Sequence, residues 1–255
     1  MNSTGNTILI TGGASGIGRG LAEAFQRLGN QVIIAGRGKK SLDQTAAANP
    51  GMKSLRLDLT RPKSIQTFVE QVREFYPTLN VLINNAGVME PENLRETAGD
   101  LSTAENTVTT NLLGPIRLTA SLLPLLEKQE NATIINVSSG LAFVPLAMTP
   151  TYCATKAGLH SFTQSLRYQL RETKVQVIEL IPPYVATTLM GEQQASDPQA
   201  MPLEEFIGEA MEILQTQPKA KEVNVKKVLP LRQAADDGEE HFEQFFQQFN
   251  DSMHK

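Results

Sequence analysis

The chain has a single cysteine, Cys153, so no disulfide can form within it. That absence fits a reducing compartment, where thiols stay unpaired. Its three histidines, His160, His241 and His254, lie far apart. With one cysteine beside them they offer no zinc-ligand spacing, and no metal is expected. Basic residues are in deficit: 23 Lys and Arg against 27 Asp and Glu leave a net charge of −4 and a pI near 5.5. The chain therefore lacks the basic footprint of a nucleic-acid binder. It also lacks any uninterrupted apolar run of the ~18–20 residues needed to span a bilayer. The opening "MNSTGNTILITGG" passes from polar residues straight into a strand pattern, without the regions of a signal peptide. Together these absences lead us to expect a soluble cytoplasmic protein with neither nucleic-acid nor membrane partners.

What is present suits one large α/β domain. The 255 residues are 40% hydrophobic, enough for a sizeable core. Short runs rich in Ile, Val and Leu at 7–11, 31–35, 54–57, 81–84, 133–137, 175–180 and 222–228 read as strands buried on both faces. Helical patterns lie between them, at 17–28, 41–48, 63–76, 102–127, 152–173 and 203–215. The alternation predicts a doubly wound, Rossmann-type parallel sheet of about seven strands, with helices on both faces. A single domain over 1–255 is expected, with a substrate loop and lid helix over 188–217 and a helical extension over 236–255.

The strand ends carry the chemistry. "TILITGGASGIG" sets Gly12, Gly16 and Gly18 between a strand and a helix, where glycines allow close approach to a pyrophosphate. The helix N-terminus would then face the phosphates; a plain Gly-rich turn is the alternative. "VIIAGR" ends the second strand on Arg37, with no acid to bind a ribose 2′-hydroxyl. In a dinucleotide fold this favours NADP(H) over NAD, because an arginine can pair with the 2′-phosphate. Asp58, ending "LRLDL", either accepts from an adenine amino group or starts a turn. Asn84 and Asn85 can bridge backbone groups, and Ala86 and Gly87 leave room for a flat ring or ribose. Ser138 and Ser139 fall beyond a strand's carboxyl end, where open α/β sheets place ligands. Tyr152 and Lys156, in "TYCATKAGLH", share one helix face at i, i+4.

In order and spacing, "TGGASGIG", "NNAG", Asn111 within "TTNLLGP", Ser139 and "YCATK" make the chain resemble the classical short-chain dehydrogenases/reductases from residue 7 to about 190. "YPTLNVLINNAG" is most similar to the branch associated with D-alanine transfer loci. The resemblance implies an oxidoreductase in which Tyr152 is the general acid, Lys156 lowers its pKa and binds the nicotinamide ribose, Ser139 holds the substrate oxygen, and Asn111 anchors a water leading from Lys156 to solvent. It further implies a cofactor site built from Gly12, Ser15, Gly16, Ile17, Gly18, Arg37, Asp58, Leu59, Asn85, Ala86, Gly87, Tyr152, Lys156, Pro182, Val185 and Thr187. A homodimer or homotetramer is expected on the same ground. Two departures stand out: Pro183 replaces the family's usual glycine, and the glycine-rich ending is missing.

Met89, Leu141, Phe143, Val144, Met148 and Tyr184 are expected to line a pocket for a small or medium, mostly apolar carbonyl or alcohol. The competing reading is a dinucleotide-sensing binding protein without turnover. Phe242, Phe245, Phe246 and Phe249, spaced i, i+3, i+4, i+7, predict an amphipathic helix. We expect it to dock on its own subunit near the substrate loop, rather than on a neighbour.

Overall fold

The computed structural model describes residues 1–96 and 99–253, so His254 lies outside the described residues. Strands β1 (Thr7–Thr11), β2 (Gln31–Gly36), β3 (Lys53–Arg56), β4 (Val81–Asn84), β5 (Ala132–Val137), β6 (Val175–Ile181) and β7 (Glu222–Asn224) form one sheet in the order β3-β2-β1-β4-β5-β6-β7. Every ladder is parallel. The predicted doubly wound sheet is the architecture found.

The strands are apolar on both faces because helices cover both. Ile8 and Ile10 of β1 face one core layer, with Phe25 of α1 (Gly16–Arg27) and Phe206 of α8 (Leu203–Thr216). Leu9 faces the other, with Phe68 of α3 (Pro62–Phe75), Leu122 of α5 (Gly114–Leu126) and Leu166 of α6 (Pro150–Gln169). The order reverses between β1 and β4. A crevice opens there at the carboxyl ends of the strands, the position where such sheets take ligands.

Several boundaries differ from the sequence reading, each for a local reason. The helix predicted over 102–127 is divided into α4 (Ser102–Val108) and α5 by a wide π turn at Thr109–Leu113. Pro115 has no N–H to return to the carbonyl of residue 111, so the ordinary ladder cannot run through. The last strand stops at Asn224, short of 228, because the Lys226 N–H donates to the Glu209 carboxylate at 2.7 Å. A 3-10 turn (Lys226–Val228) and α9 (Leu229–Arg232) follow instead. Pro150 occupies the first turn of α6, which therefore begins before Tyr152. The irregular stretch over 188–201 holds a short helix, α7 (Glu192–Ser196). Lys39–Ala48 forms α2, and Glu239–Met253 forms α10, a tail helix longer than its phenylalanine stripe.

Gly18 lets α1 sit against the sheet. A Cβ there would lie 2.3 Å from the Gly12 carbonyl oxygen and 2.4 Å from Asn85 Nδ2, both closer than atoms can pack. Gly18→Ala is expected to destabilise the protein by about 1–3 kcal/mol. Thermal melting checks this; an unchanged melting temperature would show that α1 can shift without penalty.

Candidate active site

The turn after β1 is shaped by close approach. Gly12 has φ +68, and a Cβ there would be 2.9 Å from Ala86 Cα. The Thr11 hydroxyl accepts from the Asn85 and Ala86 N–H groups at 3.0 and 3.1 Å, and Asn85 Nδ2 donates to the Thr11 carbonyl at 3.0 Å. These bonds tie β1 to β4 and form the floor of the crevice. Ser15 precedes α1 without a side-chain cap. The first N–H groups of that helix therefore remain available beside the cavity that Ser15, Gly16 and Ile17 line.

At the β2 and β3 end, Arg37, Asp58 and Leu59 border a recess of about 220 Å³. Arg37 is exposed. Asp58 Oδ1 accepts from the Thr60 N–H and hydroxyl at 3.0 and 2.7 Å, so the turn-starting reading describes its local bonding. Partial burial pushes the Asp58 carboxyl up, but the Thr60 bonds, Arg61 and Arg37 together hold it below its usual range.

The resemblance-derived tetrad comes together at the end of β5. Lys156 is 4% exposed; its Nζ donates to the Val137 carbonyl at 2.8 Å and lies 5.5 Å from the centroid of the Tyr152 ring. Burial lowers its pKa to about 8, while the charge of Glu179 pulls the other way. Tyr152 is also buried, and desolvation pushes its hydroxyl up, only partly offset by a hydrogen bond with Ser139. Desolvation, not the neighbouring ammonium, is the largest influence on the tyrosine and favours its protonated form. Ser139 Oγ accepts from the Leu141 N–H at 3.1 Å, starting a 3-10 turn. Asn111 lies behind the cavity wall. Its side chain accepts from the Val88 N–H and donates to the Val88 carbonyl, each at 2.8 Å. Gly87 makes this possible: a Cβ there would be 3.3 Å from Asn111 Oδ1 and 3.8 Å from Lys156 Nζ.

A cavity of about 420 Å³ joins Gly12, Tyr152 and Lys156 to the segment after β6. The Pro182 carbonyl accepts from the Gly140 N–H at 2.9 Å, and Pro182 and Pro183 both line the cavity. Val185 bridges to Met201, and Thr187 accepts from Gln194 Nε2 at 3.2 Å. Met89, Leu141 and Tyr184 border the cavity as expected. Phe143 and Val144 do not: Phe143 packs edge-on against His160 and under Arg232, and Val144 is fully buried. The 3-10 turn after Ser139 rotates both away. Met148 packs behind the wall.

Three features escaped the sequence reading. Glu179, fully buried in β6, accepts from Ser138 Oγ at 2.5 Å and hydrogen-bonds His160 Nδ1 at 2.8 Å. The lone carboxylate in "VQVIELI" was the readable signal of this pair. With Glu222 these residues bring potential ligand atoms within 4.8 Å of one another. The carboxylates already have protein partners, since Arg232 pairs with Glu222 at 2.9 Å. Gln194, donating also to the Val185 carbonyl at 2.8 Å, carried no signal. Nor did Asn250, whose Oδ1 accepts from the Ala147 N–H at 2.6 Å and whose Nδ2 donates to the Pro145 carbonyl at 3.1 Å.

Lys156 is held at a cost. Its folded pKa, about 8, lies below the ordinary 10.5, so protons favour the unfolded chain. The penalty is complete below pH 8 and disappears as pH rises towards 10.5. Lys156→Met in the cofactor-free protein is expected to raise stability at pH 7 by at most about 3 kcal/mol, less the lost bond to Val137. The gain should vanish near pH 10.5. Melting curves across pH check this, and a gain that does not depend on pH would contradict it.

A family model described as short chain dehydrogenase matches residues 6–198. The uncharacterized oxidoreductase DltE of Bacillus subtilis (strain 168) is 42% identical over 201 residues, 79% of each chain. A short-chain dehydrogenase from Sphingobium yanoikuyae, solved in complex with NADPH, superposes with a TM-score of 0.80 at 27% identity, over 91% of this chain and 92% of that one. A Burkholderia phymatum short chain dehydrogenase/reductase, solved with NAD, has the same fold, with a TM-score of 0.81 at 21% identity over 93% and 95% of the two chains. With the motif-bearing strand ends and the convergent Ser139, Tyr152 and Lys156 in place, the chain belongs to the short-chain dehydrogenase/reductase family, in the branch that includes DltE.

Proposed function

We propose that this chain is an NADP(H)-dependent oxidoreductase that interconverts a small or medium, mostly apolar carbonyl compound and its alcohol. The observation that carries the reading is the burial of Tyr152, Lys156 and Ser139 at the end of β5, on a cavity continuous with the glycine-lined crevice. The residues fit a nicotinamide dinucleotide. Glycines clear the turn where a Cβ would clash, α1 offers uncapped N–H groups, and Arg37 borders the recess at the β2 and β3 ends with a charge suited to a 2′-phosphate. Related structures hold NADPH in one case and NAD in another; Arg37 and the absence of an acid at the β2 tip favour NADP(H). Asp58 and Leu59 would border the adenine, and Asn85, Ala86, Gly87, Pro182, Val185 and Thr187 the nicotinamide half.

When bound, the nicotinamide supplies or accepts the hydride. The chain's own residues handle the proton and the geometry. Tyr152, kept protonated by burial, gives its proton to the substrate oxygen as charge develops there. Ser139 Oγ orients that oxygen. Lys156 has three N–H donors and one protein acceptor, which leaves donors for the cofactor ribose and a positive charge to favour the phenolate once the proton has left. The Asn111 side chain is committed to Val88, and Pro115 has no N–H to give the Asn111 backbone carbonyl, so we assign the water from Lys156 to that carbonyl. A sensor without turnover would have no use for this proton route. The active unit is a homodimer or homotetramer.

Two experiments test the reading. NADPH should bind at least about tenfold more tightly than NADH, roughly 1.4 kcal/mol, and Arg37→Ala should remove most of that preference. Equal affinities in the unmutated protein would overturn the cofactor assignment. Tyr152→Phe should abolish carbonyl reduction, followed by cofactor absorbance over a carbonyl panel, with NADPH affinity nearly intact. Retention of more than about a tenth of the turnover would mean that another group is the acid.

A further inference from the structure

Helix α10 lies beyond the segment matched to the family, yet it reaches the reaction cavity. Phe249 and Met253 line its wall. They join an apolar cluster with Met89, Leu146, Tyr152 and Cys153. The helix is held there by Asn250, buried and bonded in both directions to the backbone of Pro145 and Ala147, between Ser139 and Tyr152. The tail is thus fixed to the segment that positions the catalytic groups. Three methionines, Met89, Met190 and Met253, stand on the cavity wall, and all three pack in the same cluster as Tyr152. Methionine is unbranched and adaptable, so such a wall follows a flexible chain better than it selects a rigid ring. The charged side chains on the cavity are Glu90, itself exposed, and buried Lys156.

We propose that α10 and the methionine wall form a distal subsite for an unbranched aliphatic chain carried by the substrate, with Phe249 and Met253 setting how much chain is accepted. The subsite rests on the reading of the cavity as a carbonyl and alcohol site, and extends it to a substrate class: alkyl-chain aldehydes, ketones or alcohols. Phe242, on the same helix, does not border the cavity and stacks with Phe246 at 6.2 Å instead.

The test is a series of n-alkanols from ethanol to decanol, competing with the fluorescent probe anilinonaphthalene sulfonate on the full chain in the presence of NADPH. Affinity should rise about fourfold per methylene until the subsite is full. Phe249→Ala should weaken the longer alkanols about tenfold or more and leave ethanol unchanged. Met253→Gln, near the helix end where refolding is least at risk, should act in the same direction. Phe242→Ala should leave the series as it is. A flat series, or equal losses for short and long alkanols in both wall variants, would overturn the subsite. Length-dependent displacement without turnover of any n-alkanal would keep the subsite and overturn the oxidoreductase reading. Turnover that ignores chain length would do the reverse.

Discussion

A hydrogen bond from the Lys156 ammonium to the Val137 carbonyl joins α6 to the carboxyl end of β5. The ammonium is out of water, which is unfavourable for a charge unless nearby groups offset it. Much of the site is arranged around this one group. Gly87 thins the wall beside it, Asn111 braces the neighbouring loop through Val88, and the tyrosine one turn earlier lies within 5.5 Å. An ammonium that solvent could reach would be more stable and less able to influence a phenol. Here stability is given up locally to hold a charge beside the Tyr152 phenol.

Polar bonds inside the core keep that arrangement in register. Asn84 and Asn136 sit side by side on β4 and β5, and Asn84 Nδ2 donates to Asn136 Oδ1 at 2.8 Å. Asn136 in turn donates to Thr163 of α6 at 2.9 Å, and Asn84 to Thr119 of α5 at 2.9 Å. Glu179 adds a third tie, from Ser138 on one side to His160 on the other. Apolar packing alone would let α6 slide over the sheet; directional bonds between buried groups specify one seat. Helix α6 and the strand that leads into Ser139 are therefore held at a defined separation.

The opposite side of the cavity is built differently. There the wall is loop, methionine and tail helix, closed by Gln194 across the segment after β6 and by Asn250 across the segment before α6. A bonded, rigid wall on one side of the cavity thus faces a more adaptable one on the other.

The alternation of short apolar runs with helical patterns was enough to determine the parallel sheet, because strands buried on both faces must be apolar throughout. The glycines, Arg37, Ser139 and the Tyr152–Lys156 pair drew attention for a related reason: each stands at a strand end or on one helix face, where local spacing predicts direction; Asn111 was picked out only through the family resemblance. Other features depended on contacts between residues far apart in the chain, which no local pattern encodes. Glu179 meets Ser138 and His160 across two strands and a helix. Phe143 turns from the pocket towards His160 because the 3-10 turn after Ser139 redirects it. The Asn111 side chain is turned to the backbone of Val88, 23 residues earlier. The phenylalanine stripe announced an amphipathic helix by its period alone. Only the folded chain, through the two bonds of Asn250, placed that helix over the cavity and put Phe249 and Met253 on its wall.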